Sequence, residues 1–157
     1  MNENELLIEK FYTAFQAKDY ATMQSCYSNH ATFSDEVFVG LNAEQVRAMW
    51  EMLLKNGKDL KLEFKNIKAD GTTGSAEWIA YYTFSKTGNK VINRITASFI
   101  FENGKIIQHT DHFNFYKWAS QALGNTGLLL GWTSFLKNKV RTTAMKSLVD
   151  FIKSKKK

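Results

Sequence analysis

Two side chains that can transfer protons stand close together near the end of an alternating apolar segment. The alternation over 105–116 predicts a strand, and it places His109 and Asp111 on one face, about 6.5–7 Å apart along the strand. A carboxylate can keep an imidazole oriented, and histidine titrates near neutral pH, so the pair suits acid–base chemistry on one small ligand. The alternative is a buried polar pair satisfied by the backbone or by Arg94. Asp111 is the leading candidate for an acid/base group.

Asp35 is a third candidate for proton transfer, and it ends a short alternating strand predicted over 30–35. A carboxyl group in an apolar pocket has a raised pKa and can shuttle a proton. The alternative, which the sequence alone favours, is that this side chain caps a loop or a helix end.

Aromatic residues on the predicted helices and strands supply walls for an apolar pocket: Tyr12, Trp50, Trp78, Tyr82 and Phe113. Aromatic stripes usually form core, and that alternative applies to these five as well. An apolar pocket carrying one or two acids suits a small hydrophobic or aromatic ligand.

The residues that bind metals are sparse. Cys26 is the only cysteine, which excludes an intramolecular disulfide and a cysteine-rich zinc site. The three histidines lack the ligand spacing of a helical metal motif, and His109 with Asp111 is weak evidence by itself. We therefore expect no metal and no other cofactor.

The elements that must position these residues form a helical half followed by a strand-rich half. Helices are predicted for 3–17, 19–26 and 42–56, the last beginning at a capping box of Asn42 and Gln45. After the strand 30–35 and the third helix, four hairpin-linked strands follow, over 59–69, 75–85, 90–101 and 105–116. An antiparallel meander with helices covering one face is an α+β fold.

The positive charge is confined to the C-terminus. Residues 1–130 hold 13 basic and 14 acidic residues, whereas 131–157 hold eight basic residues and one acid. A long helix is predicted from 126, with an apolar stripe formed by Leu128, Trp132, Phe135, Leu136, Val140, Ala144, Leu148, Phe151 and Ile152. This distribution argues against a protein that binds nucleic acid over its whole surface, and the basic residues of the helix lack the accompanying exposed aromatics of a nucleic-acid site, so we expect no nucleic-acid partner.

Two partners remain for the basic helix. Its stripe can dock on the domain or on a second subunit, or the helix can lie on a membrane surface. We favour docking, because Thr142, Thr143 and Ser147 break up a membrane-facing surface. The acidic, polar N-terminus shows no secretory signal and no apolar run reaches transmembrane length, so we expect a cytoplasmic protein.

The order of these elements resembles the nuclear transport factor 2-like superfamily, in its SnoaL-like branch. The strings that carry the resemblance are 9–15 with 18–20, 27–35, and 101–107 with 109–113, and it covers about 3–123. It implies a curved, mostly antiparallel sheet wrapped around N-terminal helices, forming a cone with a pocket (a cystatin-like α+β roll). It also implies a homodimer through the outer face of the sheet. We divide the chain into this domain, 1–125, and an extra C-terminal helix, 126–157.

The resemblance implies roles for two of the acids. Asp35 matches the general-base aspartate of ketosteroid isomerases, and Asp111 matches the acid/base aspartate of polyketide cyclases and limonene epoxide hydrolases of the superfamily. The positions that complete those sites carry Phe11, Trp78, Ala80 and Ala97 here.

We therefore expect the pocket to bind a small apolar or aromatic molecule. Asp111, with His109 and Asp35, would transfer a proton in isomerase, cyclase or hydrolase chemistry without a cofactor. The open alternative is a non-catalytic ligand-binding or protein-interaction module of the same fold.

Overall fold

A computed structural model describes residues 1–157 and confirms the α+β class, with helices before and after one five-stranded sheet. The helices are α1 (Glu3–Gln16), α2 (Tyr20–Ser25), α3 (Ala43–Asn56), α4 (Phe115–Ala122), α5 (Asn125–Leu130) and α6 (Ser134–Lys155). The strands are β1 (Tyr27–Ser34), β2 (Lys61–Ala69), β3 (Thr73–Phe84), β4 (Asn89–Glu102) and β5 (Lys105–His112).

The two long N-terminal helices begin at capping boxes. In α3, the Asn42 side chain accepts the backbone N–H of Gln45 at 2.9 Å, and the Gln45 side chain accepts the backbone N–H of Asn42 at 3.0 Å, as predicted. Asn2 and Glu5 make the same exchange at the start of α1. Each box satisfies backbone donors that a helix start leaves without partners, which fixes where the helices covering the sheet begin.

The sheet has the strand order β1-β5-β4-β3-β2. The predicted meander forms β2 to β5 with antiparallel pairing, and β1 joins its far edge parallel to β5. A register shift between β4 and β5 leaves Ile107 without a partner, so Ile106 rather than Ile107 is buried. Regular alternation resumes before His109, so His109 and Asp111 still lie on the same face of β5, as predicted.

The core lies between the inner face of the sheet and the helices α1 and α3. Phe11 of α1 stands at its centre, with ring centroids 5.6 Å from Tyr27, 5.9 Å from Trp50 and 5.7 Å from His109, each in edge-to-face contact. This aromatic packing holds the buried ends of β1, α3 and β5 together.

The last strand is shorter than predicted. The alternation was expected to continue to 116, but β5 ends at His112 and α4 begins at Phe115. The Asn114 side chain accepts the backbone N–H of Lys117 at 3.0 Å and starts the helix there. The Asn114 cap thus gives a backbone N–H at the start of α4 a partner, just after the strand pairing of β5 stops.

The C-terminal segment is not one helix from 126, as predicted, but two helices with a break at residues 131–133. The Thr133 hydroxyl accepts the backbone N–H of Leu136 at 3.2 Å and caps α6. Because the chain turns here, the residues of the predicted apolar stripe do not lie on one continuous helix face. Its early members Leu128, Trp132 and Phe135 are exposed, whereas Leu136 is buried.

The helix α6 packs against α3 and the loop that follows β1. Leu148 is fully buried in the main core. Lys155 pairs with the buried carboxylate of Glu51 in α3, and Arg141 donates to the Glu36 backbone oxygen at 3.1 Å. No helix of the chain is both long enough and apolar enough to cross a bilayer.

Candidate functional site

A cavity of about 620 Å³ opens between the inner face of the sheet, α3 and α6. Its walls are mainly apolar and include Phe15 of α1, Leu53 of α3, Ile95 of β4 and Val140 of α6. Two carboxylates, Asp35 and Asp111, interrupt this lining. The volume suits a small organic molecule, and the two acids are groups that can exchange a proton with it.

Asp111 lies on the inner face of β5, paired across the sheet with Ala97 of β4. It is 2% exposed. Its Oδ1 accepts a hydrogen bond of 2.8 Å from Nε2 of His109. Its Oδ2 has no hydrogen-bond partner in the protein and is not among the fully enclosed atoms, so it faces the cavity.

A chain of buried hydrogen bonds orients Asp111. Trp50 Nε1 donates to the Tyr27 hydroxyl at 2.9 Å, and that hydroxyl lies 2.8 Å from His109 Nδ1. A carboxylate only accepts, so Nε2 of His109 carries the imidazole proton that reaches Asp111, and Nδ1 of the neutral ring accepts from the Tyr27 hydroxyl. Burial keeps the pKa of Tyr27 well above its ordinary value, so the hydroxyl retains its hydrogen.

Asp35 follows the last residue of β1 and lies beside Asp111. The parallel register pairs Ser34 with Thr110. The residues that follow these two are Asp35 and Asp111, which are therefore neighbours across the two chain segments. Its Oδ1 accepts the backbone N–H groups of Val37 at 2.7 Å and Phe38 at 2.6 Å. Its Oδ2 accepts no hydrogen bond from the protein.

Burial raises the pKa of Asp35 to about 7, against the lowering effect of its two backbone hydrogen bonds, and the nearby charge of Asp111 adds to the rise. The loop cap that the sequence favoured for Asp35 is present. The same side chain also lines the cavity, so the two interpretations are compatible.

Four of the five predicted aromatic residues line the cavity: Trp50, Trp78, Tyr82 and Phe113. Tyr12 does not. It is fully buried, 5.5 Å from the ring of Phe64 with which it stacks, and its hydroxyl has no hydrogen-bond partner. Burial raises the pKa of Tyr12 well above its ordinary value. His109 also lies behind the lining, and it contacts the cavity only through Asp111.

Sequence reasoning missed Asn93, which lines the cavity from β4 and is 8% exposed. Its side chain makes no hydrogen bond within the protein, so its amide is free for a ligand. The signal was present, because the buried face of β4 runs Val91, Asn93, Ile95, Ala97. A polar residue on an otherwise apolar face marks a site.

Sequence reasoning also missed the contribution of α6, whose Ala144 and Ser147 line the cavity with Val140. The alternative in which Arg94 satisfies the buried pair is wrong, because His109 bonds to Tyr27 and Asp111 instead. Arg94 and His112 are exposed on the outer face of the sheet. No group of three or more His, Cys, Asp and Glu side chains converges in the way that a protein metal site requires.

Comparisons with known proteins agree with this architecture. A family model for the SnoaL-like domain matches residues 8–109. A candidate SnoaL-like polyketide cyclase from Jannaschia sp. CCS1 superposes with a TM-score of 0.68 at 10% identity, covering 78% of this chain and 92% of that chain. TsrD from Streptomyces laurentii superposes with a TM-score of 0.66 at 19% identity, covering 78% of this chain and 95% of that chain.

A further structural relative is an LEH-like epoxide hydrolase from M. tuberculosis. It superposes with a TM-score of 0.61 at 19% identity, covering 85% of this chain and 95% of that chain. No curated protein matches the sequence. At these identities the structural likeness shows the fold alone. The family model spans more than half of the sequence, and it shows that the chain belongs to the SnoaL-like domain family.

Proposed function

We propose that the cavity binds a small apolar or aromatic molecule and catalyses proton transfer on it, with Asp111 as the acid/base group. The observation that supports this most is the pair of carboxylates in an apolar cavity, each with one oxygen held by the protein and one free. The chemistry is of the isomerase, cyclase or hydrolase type and needs no cofactor.

In this proposal Asp111 takes the proton from the ligand through its free Oδ2. His109 is a positioning residue, because it touches Asp111 and not the cavity. Tyr27 and Trp50 hold the imidazole in turn. This arrangement fixes the direction of the carboxylate, which is what general base catalysis requires of its geometry.

Asp35 serves as the partner acid. With a pKa of about 7 it exists both protonated and ionised near neutral pH, so it can deliver a proton to one end of the ligand while Asp111 accepts one at the other. Two carboxyl groups in different environments can divide acid and base roles in this way.

Two donors can stabilise negative charge on the ligand. The Tyr82 hydroxyl accepts the indole N–H of Trp118 at 2.7 Å, which leaves its own hydrogen free for the cavity. The Asn93 amide is the second donor. They supply hydrogen bonds that Phe11 and Ala97 cannot, and hydrogen bonds to a developing oxyanion account for much of the rate in such reactions.

The second candidate function is ligand binding without catalysis. The positions that favour it are those where the resemblance implies the groups completing a catalytic site and this chain has other residues: Phe11, Trp78, Ala80 and Ala97. Both candidates use the same cavity and differ in whether a bound molecule exchanges a proton.

An exchange experiment separates the two candidates. The probe is α-tetralone, an aromatic ketone whose C–H bonds next to the carbonyl can be deprotonated, in D₂O. We expect the protein to catalyse deuterium exchange at that carbon, and proton NMR measures the rate of this exchange. Asp111→Asn should slow it by at least about 100-fold, the usual contribution of a general base. Hydrolysis of styrene oxide is the matching assay for hydrolase chemistry.

The matched control is Asp150→Asn, which changes an exposed carboxylate on α6 that does not line the cavity. It should leave both rates unchanged. Equal rates in the Asp111→Asn and Asp150→Asn variants would contradict the catalytic proposal. Saturable binding of α-tetralone without exchange would support the non-catalytic candidate.

We further propose that the protein is a homodimer through the outer face of the sheet and works in the cytoplasm. Ile92 and Arg94 are exposed on that face, at the middle of the sheet. Sedimentation equilibrium should give a dimer for the wild type and a monomer for Ile92→Glu combined with Arg94→Glu. A wild-type monomer would contradict the proposed assembly.

A further inference from the structure

Large apolar side chains are exposed together at the corner between α5 and α6. This corner patch consists of Leu128, Leu129, Leu130, Trp132 and Phe135. Three of them are exposed over most of their surface: Leu129 by 71%, Trp132 by 76% and Phe135 by 71%. Single exposed apolar residues are ordinary, but a group of this size in eight consecutive positions marks an interaction surface.

The corner patch is held in place by its backbone. Gly127 lies directly on α4, where a Cβ would stand 1.9 Å from the backbone oxygen of Ala119. The Tyr116 hydroxyl donates to the Leu128 backbone oxygen at 2.8 Å, and the Thr133 hydroxyl donates to the Leu130 backbone oxygen at 2.6 Å. The fold therefore presents these side chains outward on a fixed support.

The surroundings of the corner patch are basic. Residues 112–149 contain no aspartate or glutamate and five basic residues, which are Lys117, Lys137, Lys139, Arg141 and Lys146. Lys137 pairs with Glu36 and Lys146 with Asp150, whereas Lys117 and Lys139 form no ion pair. Lys117 precedes the patch in the chain and Lys139, which also lines the cavity, follows it. An apolar surface flanked by lysines without acidic partners matches the chemistry of an anionic bilayer.

We propose that the corner patch docks on the surface of a membrane that contains anionic lipid. The leucines and aromatic rings would enter the headgroup region, where tryptophan is favoured, and the lysines would contact lipid phosphates and carboxylates. Docking of a second copy through the same patch is disfavoured, since it would bring two basic borders together. The patch takes up the early, exposed members of the predicted apolar stripe, whereas later members such as Leu148 pack on the protein.

This surface adjoins the cavity. Thr126 and Leu136 line the cavity and lie, respectively, two residues before Leu128 and one residue after Phe135. Docking therefore places a cavity-lining segment next to the lipid, whether or not the cavity catalyses a reaction. An apolar ligand dissolved in the bilayer would reach the protein at this corner.

Vesicle co-sedimentation of the full-length chain tests the proposal. The vesicles are phosphatidylcholine with phosphatidylserine, or phosphatidylcholine alone. We expect the wild type to bind the anionic vesicles and to bind less tightly as salt is raised. Leu129→Ser with Trp132→Ser and Phe135→Ser should lower the partition coefficient at least about tenfold, because much of the inserted apolar surface is lost.

The matched control combines Leu6→Ser and Val39→Ser, which change exposed apolar residues of α1 and of the loop after β1, outside the corner patch. It should bind as the wild type does, and circular dichroism should show that all variants fold. Failure of the wild type to sediment with anionic vesicles, or equal binding by the triple variant, would overturn the proposal. A wild-type dimer that the triple variant converts to a monomer, without vesicle binding by either, would assign the patch to a second copy.

Discussion

Asp35 and Asp111 line one cavity but depend on different parts of the molecule. Two backbone N–H groups of its own loop hold Asp35. Asp111 is held by His109, and through it by Tyr27 of β1 and Trp50 of α3. Changes in the packing of α3 should therefore disturb Asp111 before they disturb Asp35.

The raised pKa of Asp35 makes stability depend on pH. Between about pH 4 and pH 7 the folded protein binds a proton that unfolded Asp35 has already released, so the free energy of unfolding falls as pH rises through this range. Asp35→Asn keeps the Oδ1 acceptor for both backbone donors and removes the charge. We expect it to stabilise the protein by about 1–3 kcal/mol near pH 8 and to have little effect near pH 4.

Urea denaturation of both proteins at the two pH values measures this effect. Asp150→Asn serves as the control, because its carboxylate is exposed and pairs only with Lys146. An Asp35→Asn variant whose stability relative to the wild type is the same at both pH values would show that Asp35 is not held in its protonated form by burial.

Tyr27→Phe tests the chain of hydrogen bonds behind Asp111. The change leaves the indole N–H of Trp50 and Nδ1 of His109 buried without partners, so we expect a loss of about 2–4 kcal/mol in the free energy of unfolding. Since His109 is then free to change tautomer, α-tetralone exchange should slow with little change in α-tetralone affinity. Denaturation curves and the exchange assay measure the two effects.

The control for that variant is Tyr81→Phe, which removes a hydroxyl that has no hydrogen bond in the protein. It should change stability by less than about 0.5 kcal/mol. A Tyr27→Phe variant as stable as Tyr81→Phe would contradict the buried hydrogen-bond chain.

At the scale of elements, the sequence predicted the strands better than their ends. Alternation located β2 to β5, because a half-buried sheet imposes a period of two on every strand. It could not end β5 at His112, since Phe113 and Phe115 continue the apolar pattern beyond it. The Asn114 cap decides that boundary. The break before α6 was missed for the same reason, because Gly131 and Thr133 stand inside an apolar period.

The candidate site was only partly visible in the sequence. Strand parity placed His109 and Asp111 on one face, and that placement depends on local geometry alone. The bond from Tyr27 to His109 joins residues 82 positions apart, and no pattern along the chain predicts it. The lining by Val140 and Ala144 likewise depends on where α6 docks, which is a tertiary property.

Gly127→Ala tests how α5 is held on α4. The added Cβ would meet the backbone oxygen of Ala119, which cannot move as a flexible side chain can. We expect a loss of about 1–3 kcal/mol in the free energy of unfolding, typical of overpacking. Gly71→Ala is the control, because nothing lies within 4 Å of its added Cβ. Equal stability of the two variants would show that α5 does not need this close approach.

At the scale of the whole molecule, basic residues of the C-terminal segment form ion pairs with acidic residues of the rest of the chain. Lys155 and Lys156 of this segment meet Glu51 and Glu44 of α3, and Lys137 meets Glu36 at 3.4 Å. Hydrogen bonds from Lys155, Lys55 and Gln24 hold the pKa of Glu51 below its ordinary value although burial acts to raise it. We propose that 1–125 is the family domain and that 126–157 is an appendage completing its cavity.

Leu148→Ala tests whether the appendage and the cavity form one unit. Leu148 is fully buried in the main core, so truncation should cost about 2–5 kcal/mol of unfolding free energy. Because Ala144 and Ser147 of the same helix line the cavity, the affinity for naphthol, followed by tryptophan fluorescence, should fall as well. Leu6→Ala, which shortens an exposed side chain of α1, should change neither quantity. A Leu148→Ala variant that loses stability but binds naphthol as the wild type does would show that α6 closes the core without shaping the cavity.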